Sequence, residues 1–491
     1  MNDEREVRRR PPIHFFVGAA SLVLCEVLLF ARIEPVYTYF YPFVWWSYIL
    51  FVDGLVFWRT GESLLVNRRW EFLVLSFWSV AAWNVYEIFN FRLQNWYYVN
   101  APVAVWKEHL HTTIAFATVL PGVFETTELL RSFHLLDKLR TRPVRISRTR
   151  LLVLFLMGLC CVVLPLLWPR YFFPLVWGWA VFMLEPIIYL RRGRSLLADL
   201  ERGDPRRFCT LLLAGVVAGG LWEFWNFWTR TKWIYTVPGF EEFKLFEMPL
   251  LGFVGFAPFV VECYVMYAFL GLFRGNRGWE RDACRAGGAP RWLAVAGALG
   301  ALVFNFLVCE GITRWTVYSH NRSIRHVAKI APEEADRLEK AGIEYPPDLL
   351  IAVERRGVRA VALEIGMAPA RITALSEASR LIETKGIGFR YYELLRSLGI
   401  TRLDDLASRD IAVLARKLRA IAEKKGIRSP YERQVGVWVR EARRLRRKLE
   451  AQREIGAQRE FGAQRSFGTQ QEIGVQREFG AQRSFGTPSA R

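Results

Sequence analysis

Apolar residues dominate the chain up to about Ile312, in runs of about 20 separated by short basic loops; beyond that point no apolar run exceeds a few residues. A hydrocarbon core roughly 30 Å thick is crossed by about 20 helical residues. Nine segments meet that length, near residues 13–31, 36–57, 71–91, 109–130, 151–169, 171–190, 208–228, 245–273 and 292–312. Backbone polar groups cannot stay unpaired in lipid, so these segments are predicted to be helices. The stretch from Ile13 to Phe30 has no small-residue cleavage site and is followed by further spans. It therefore reads as a first anchor and not as a signal peptide. Trp96-Tyr97-Tyr98 and Trp233-Ile234-Tyr235, at span ends, read as parts of an aromatic belt.

Charge orients the spans. Of the formal +20, much sits in alternate loops: Arg59, Arg68 and Arg69, then clusters across 131–150, 191–207 and 274–291. The intervening loops are poorer in Lys and Arg. This is the positive-inside pattern, with Arg8 to Arg10 cytoplasmic and every even-numbered span returning to that side. The odd ninth span then places everything after Thr313 outside. The seven cysteines are scattered, with no C-x-x-C spacing, which predicts neither a zinc site nor a disulfide framework.

The spans repeat. At an offset of 132, Phe40-Tyr41-Pro42-Phe43-Val44-Trp45 matches Phe172-Phe173-Pro174-Leu175-Val176-Trp177, and the same offset pairs Asp53 with Glu185, Arg59 with Arg191, and Gly61, Ser63, Leu64 and Leu65 with Gly193, Ser195, Leu196 and Leu197. At 136, Glu87, Asn90 and Phe91 match Glu223, Asn226 and Phe227; at 137, Trp96, Tyr98, Lys107, Pro121 and Glu125 match Trp233, Tyr235, Lys244, Pro258 and Glu262. Each unit has an even number of spans, so the two copies share one orientation and are related by an axis along the membrane normal. The predicted fold is an all-α polytopic membrane protein: repeat one over 1–135, repeat two over 136–275, a ninth span over 276–313, a soluble helical domain over 314–450 and a disordered tail over 451–491.

A carboxylate at the centre of a spanning helix costs roughly 2.5–3.5 kcal/mol on insertion scales, so it needs a partner, a cavity or a job. Each copy carries three: Asp53/Glu185, Glu87/Glu223 and Glu125/Glu262. Asp53, Glu125 and Glu185 each lie six residues before an arginine, which also fits interface acids met by snorkelling arginines. Glu87 and Glu223 are the stronger candidates, because Asn90 and Asn226 follow three residues later on the same helix face. An amide beside a carboxyl can hydrogen-bond either protonation state, which suits acid/base work. Glu108, His109 and His111 in the first copy and Glu247 in the second add polar groups near the outer end of the fourth span. His109 and His111 do not share a helix face, so no metal is expected, and no cofactor.

The second copy, in its Trp-x-Tyr stretch at Trp233 to Tyr235 followed by Leu245-Phe246-Glu247-Met248-Pro249, faintly resembles the lycopene cyclase-type membrane proteins of carotenoid synthesis. The resemblance implies carboxylates among membrane helices that protonate a polyene and start ring closure. It covers about 100 residues per copy, and the family's Pro-Leu-Glu-Glu motif is absent.

The polar part also repeats. At offset 57, Ile330, Leu338, Gly342, Ile343, Asp348 and Leu349 match Ile387, Leu395, Gly399, Ile400, Asp405 and Leu406. Lys385-Gly386-Ile387-Gly388, followed by a helix, resembles a tandem helix-hairpin-helix domain of the SAM-like type. The resemblance implies that backbone N–H groups at Gly386 and Gly388 meet a phosphate. The first copy has Lys329-Ile330-Ala331-Pro332 there and lacks both glycines. Between Thr313 and Glu450 lie 29 Lys and Arg against 18 Asp and Glu, a net of +11 that suits nucleic acid or anionic lipid. An outside location argues against nucleic acid and favours docking of a protein partner. Six hexapeptides from Ala451 to Gly486 have too little apolar content for a core and a Gly at every sixth place.

These features lead to one expectation and two alternatives. The expectation is a membrane-embedded enzyme that takes a lipophilic, isoprenoid- or carotenoid-like small molecule between its repeats, with Glu87 and Glu223 as acid and base. The alternatives are a proton-coupled carrier using the same acids, and a membrane anchor for the C-terminal interaction domain.

Overall fold

The structure is a computed structural model that describes residues 10–238, 244–280, 290–327 and 329–451. It comprises two compact units, and the chain passes from one to the other between His326 and Val327. The hexapeptides from Gln452 onward lie outside the described residues.

The first unit opens with α1 (Ile13–Ala31), α2 (Val36–Thr60), the short α3 (Leu64–Asn67) and α4 (Arg69–Leu93). Strand β1 (Trp96–Val99) follows, then α5 (Val105–Phe116) and α6 (Val119–Ser132). The second copy has α7 (Arg148–Leu167), α8 (Pro169–Phe172) running into a 3-10 turn at Phe173–Trp177, α9 (Trp179–Leu190), α10 (Leu196–Glu201) and α11 (Arg206–Trp228). Then come β2 (Lys232–Tyr235), the hairpin strands β3 (Lys244–Leu245) and β4 (Met248–Pro249), a 3-10 turn at Leu250–Gly255, and α12 (Phe256–Leu272). The last helix of the unit is α13 (Arg291–Trp315). Among the described residues, eight helices are long and apolar enough to cross a membrane, or up to nine if the pair Pro169–Trp177 and Trp179–Leu190, bent by 40°, is counted as one broken span.

Three predicted spans depart from straight rods, each for a local reason. The sixth, expected over 171–190, breaks at Gly178. Its repeat counterpart α2 stays continuous but carries non-helical backbone at Tyr39 (φ −105°, ψ 25°), three residues before Pro42. A proline inside a helix removes one backbone donor and crowds the carbonyl four residues back. The fourth, expected over 109–130, splits between α5 and α6. Ser79 of α4 patches the gap: its hydroxyl donates to the Phe116 carbonyl at 2.6 Å and accepts from Leu120 N–H at 3.0 Å. The eighth, expected from residue 245, starts only at Leu250, because Lys244–Pro249 forms the β3–β4 hairpin.

The first helices of the two copies also correspond, although they share no sequence register. A Cβ on Gly18 would lie 2.3 Å from the Phe51 backbone nitrogen, and one on Gly158 would lie 2.6 Å from that of Met183. Phe51 and Met183 are 132 residues apart, the offset of the second spans. Small residues thus set the same backbone-to-backbone crossing of α1 on α2 and of α7 on α9.

The copies meet through their aromatic stretches. β1 and β2 pair antiparallel, with Trp96 opposite Tyr235, Tyr97 opposite Ile234, and Tyr98 opposite Trp233. At the repeat offset of 137, Tyr97 and Ile234 are equivalent residues. A residue facing its own counterpart in an antiparallel pair places a local two-fold axis through that pair, as two copies of one orientation require. Trp96 and Tyr97 are 6% and 3% exposed, so this stretch is interior and not the lipid-facing belt the sequence suggested.

After α13 the chain runs parallel to β1. Tyr98 donates its N–H to the Thr316 carbonyl, and Ala101 donates to Ser319. Residues 316–326 therefore belong to the first unit, and the expected boundary at 313/314 moves to 326/327. The arginine-rich loops gather elsewhere. Arg131, Arg194 and Arg207 converge on the buried Glu280 carboxylate at 3.4, 2.5 and 3.2 Å, and Arg140 reaches Asp204 at 3.7 Å.

The second unit is a helical tandem: α14 (Pro332–Lys340), α15 (Pro346–Arg356), α16 (Val358–Ile365), α17 (Pro369–Glu383), α18 (Gly388–Ser397), α19 (Leu403–Ala407) and α20 (Ile411–Lys424), with a last helix over 432–451. Its 57-residue repeat is a repeated helix–turn–helix joint. Gly342 and Gly399 end their helices at φ +75° and +74°, and Ile343 and Ile400 donate N–H to the carbonyls of Leu338 and Leu395 at 2.9 and 3.0 Å. Asp348 and Asp405 then accept the backbone N–H groups that open the next helices. Leu338, Leu349, Leu395 and Leu406 are fully buried.

Glu280 yields a pH prediction. Burial works against its charge, yet the guanidiniums of Arg207, Arg194 and Arg131 hold its carboxyl below the usual carboxylate range. Its stabilisation is therefore present above the unfolded value and lost as pH falls through the folded one. Glu280→Gln is expected to destabilise the protein by about 3 kcal/mol at neutral pH, by leaving the arginines unpaired, and to flatten the acid limb of its thermal-stability profile. Scanning fluorimetry across pH 3–8 (about the range in which carboxylates titrate) reads both effects.

Candidate functional site

The β1–β2 ribbon roofs a cavity in the first unit of about 530 Å³, inside the range of roughly 300–1,000 Å³ typical of ligand sites. Successive side chains of a strand point to opposite faces. Trp96, Tyr98, Trp233 and Tyr235 share the face that lines the cavity, while Tyr97 packs on Tyr318 with ring centroids 5.2 Å apart. Trp83 of α4, Phe116 of α5, Trp177 and Gly178 at the broken sixth span, Trp222 of α11 and Phe259 of α12 complete much of the wall. A discontinuous helix at a repeat interface belongs where it lines a cavity.

Glu87 and Glu223 stand behind this wall, both fully buried. Three donors converge on Glu87 Oε1: Tyr98 Oη at 2.5 Å, Trp83 Nε1 at 3.0 Å and Trp96 Nε1 at 3.1 Å. Glu223 Oε1 accepts one hydrogen bond, from Tyr235 Oη at 2.8 Å. Tyr98 and Tyr235 are repeat counterparts, so each copy presents a tyrosine to the cavity with a carboxyl directly behind it. Sequence reasoning missed these tyrosines. Their signal was the repeated Trp-x-Tyr alternation, three residues long and equally readable as interfacial aromatics.

The asparagines have a positioning role. Asn90 Nδ2 donates to the Trp96 carbonyl at 3.0 Å, and its Oδ1 accepts from the N–H groups of Asn95 and Trp96. Asn226 does the same for Trp233, donating to its carbonyl at 3.0 Å and accepting its N–H at 3.1 Å. Each amide thus fixes the turn from helix into strand and aims the Trp-x-Tyr segment at the cavity.

The other acids divide by local backbone need. Asp53 accepts from Ser63 Oγ and Leu65 N–H, both at 2.8 Å, and meets His14 Nε2 at 2.8 Å. Glu185 accepts from Ser195 Oγ at 2.6 Å and Leu197 N–H at 2.9 Å. These acids anchor the starts of α3 and α10, which is why acid, serine and leucine recur together at one offset. Glu262 accepts from Tyr86 Oη and from Ala180 N–H, the latter at 2.9 Å. That amide is free because α9 restarts there. In the first copy α2 is continuous at the matching place, and Glu125 is fully buried with neither oxygen hydrogen-bonded. Glu247 pairs with Lys232 Nζ at 3.4 Å. Of the acids singled out in the sequence, Glu108 lines the cavity, together with His111 and with Lys232, whereas Asp53, Glu87, Glu125, Glu185, Glu223, Glu247 and Glu262 do not. Among the described residues, no group of three or more His, Cys, Asp or Glu is placed to hold a metal ion.

In the second unit Gly386 and Gly388 both take positive φ, +83° and +57°, and both are buried. Trp438, wholly buried, donates Nε1–H to the Lys385 carbonyl at 3.0 Å. The hairpin is thus tied to the last helix. Arg443, from the basic run at 443–448, reaches back to the carbonyls of Ala407 and Arg409 and so satisfies the end of α19.

Residues 328–445 match a family described as a domain of unknown function, DUF4332. No curated protein and no solved structure matches the chain. The family match gives the C-terminal unit no activity, and neither resemblance read in the sequence is supported by a match.

Proposed function

We propose that the first unit is a membrane-embedded enzyme acting on a lipophilic, isoprenoid-type substrate by acid/base chemistry, with Tyr98–Glu87 and Tyr235–Glu223 as its two proton-transferring pairs. The observation that carries this reading is the pair of tyrosines on the cavity wall, each hydrogen-bonded to a carboxyl screened from water. Glu223, with a single donor, suits carrying a proton; Glu87, where three donors converge, suits receiving one. With Glu223 protonated and its O–H turned to Tyr235 Oη, the tyrosine hydroxyl swings to the cavity, gives its proton to an alkene carbon and takes the proton of Glu223 in return. The resulting cation is closed by the π electrons of a second double bond or shifts along the chain. A neighbouring C–H then loses its proton through Tyr98 to Glu87, restoring an alkene. Electrons balance without an oxidant. Trp83, Trp96, Trp177, Trp222 and Trp233 line the cavity, and aromatic rings stabilise a transient cation that meets their faces.

Incubating the protein with polyisoprenoids in D2O tests this directly. Product is expected to carry deuterium at the protonated carbon, and Glu223→Gln, Glu87→Gln or Tyr235→Phe is expected to cut turnover by roughly a hundredfold or more while leaving the melting temperature in place. Undiminished turnover in the double glutamine variant contradicts the assignment.

We also place the arginine-rich loops in the cytoplasm and the C-terminal unit outside, as a module for docking a protein partner. The support is that, with the bent pair counted as one span, an odd number of spans lies between the N-terminus and the tail, and that segment 316–321 lies along β1, between the third and fourth candidate spans. Protease added to intact cells is expected to remove the C-terminal unit; protection of that unit reverses the orientation and favours nucleic acid or anionic lipid as its partner.

A further inference from the structure

The cavity is built on a two-fold scaffold, but its two halves differ chemically. At offset 137, His111 corresponds to Met248 and Asn95 to Lys232, and all four line the cavity. In the second copy the polar member is already engaged: Lys232 Nζ donates to the Phe227 carbonyl at 2.6 Å and meets Glu247 at 3.4 Å. In the first copy it is not: His111 Nε2 and Asn95 Oδ1 are buried atoms without a hydrogen-bond partner. His111 is steadied by an edge contact with Tyr39, ring centroids 5.5 Å apart. One turn before it, Glu108 lines the cavity too and is 3% exposed. Glu108 is held by Thr313 Oγ1 at 2.6 Å and by His320 Nε2 at 3.5 Å, both from the chain at and beyond the end of α13. That chain has no counterpart in the second copy, so the added helix and its extension polarise one half of a symmetric cavity.

Buried polar groups are retained where something hydrogen-bonds them. We infer that the ligand is unsymmetrical: a polyisoprenoid chain ending in a hydroxyl, with that hydroxyl beside His111 and Asn95 and its hydrocarbon end toward Met248. This rests on the cavity being the ligand site of the preceding reading, and it names the ligand's chemistry: an oxygen-terminated isoprenoid and not a symmetric hydrocarbon. A hydroxyl meets either orphan atom: it donates to Asn95 Oδ1, and it accepts from His111 Nε2 where that nitrogen carries the proton or donates to it where it does not.

The test is a titration of the full-length protein in nanodiscs, read by quenching of the cavity tryptophans, with geranylgeraniol and with the hydrocarbon of the same chain length. The alcohol is expected to bind about tenfold more tightly than the hydrocarbon, the worth of one hydrogen bond made to an otherwise unsatisfied group. His111→Met, which copies the second repeat, is expected to bring the two affinities together and leave the hydrocarbon's unchanged. Met248→His, which copies the first repeat, is expected to strengthen binding of a diol with a hydroxyl at each end. Equal affinity of alcohol and hydrocarbon in the wild-type protein overturns the polar end and leaves the cavity reading standing. Binding of neither overturns both.

Discussion

The antiparallel pairing of Trp96–Val99 with Lys232–Tyr235 is the contact on which the arrangement of the membrane unit depends. It joins the two copies at equivalent residues, so the register of four residues in each strand settles where the copies stand relative to one another. A slip of one residue would turn Trp96, Tyr98, Trp233 and Tyr235 to the opposite face. The cavity would then lose its roof, and Glu87 and Glu223 would lose the tyrosines they hold. Asn90 and Asn226 guard that register from below by bonding both the carbonyl and the N–H of the first aromatic in each strand.

A symmetric scaffold does not impose symmetric chemistry. The second spans share Phe-x-Pro and an acid near their end, yet α2 runs on unbroken at the place where its counterpart breaks. That one difference frees the Ala180 amide and gives Glu262 a backbone partner that Glu125 lacks. The ninth span adds another difference by bringing Thr313 and His320 to Glu108. Duplication supplied two similar halves of one cavity, and the breaks and additions made them chemically unequal.

Much of the architecture was legible from residues alone, because the length of apolar runs reports directly on helices able to span, and because identical residues at constant offset report duplication. The tandem in the C-terminal unit was equally readable: Leu338, Gly342, Ile343 and Asp348 recur because a helix end, a left-handed turn and a helix start each demand one kind of residue. The acids were located but not told apart. Asp53 and Glu185 serve helices that begin eleven residues later, a relation visible only once the chain has folded back. Tyr98 and Tyr235 were taken for interface aromatics because an aromatic residue facing a headgroup and one facing a cavity look the same in three residues of sequence.

The most direct measurement is a cysteine cross-link. In a background without the native cysteines, Tyr97→Cys and Ile234→Cys place two thiols on directly opposed residues of an antiparallel pair, where Cα atoms lie about 4.5–5.5 Å apart, within reach of a disulfide. The account predicts a rapid, near-complete intramolecular bond under mild oxidation in membranes, and little at Tyr97→Cys with Tyr235→Cys, one residue out of register. No cross-link at 97/234, or an equal one at the shifted pair, would contradict the two-fold ribbon and the site built beneath it.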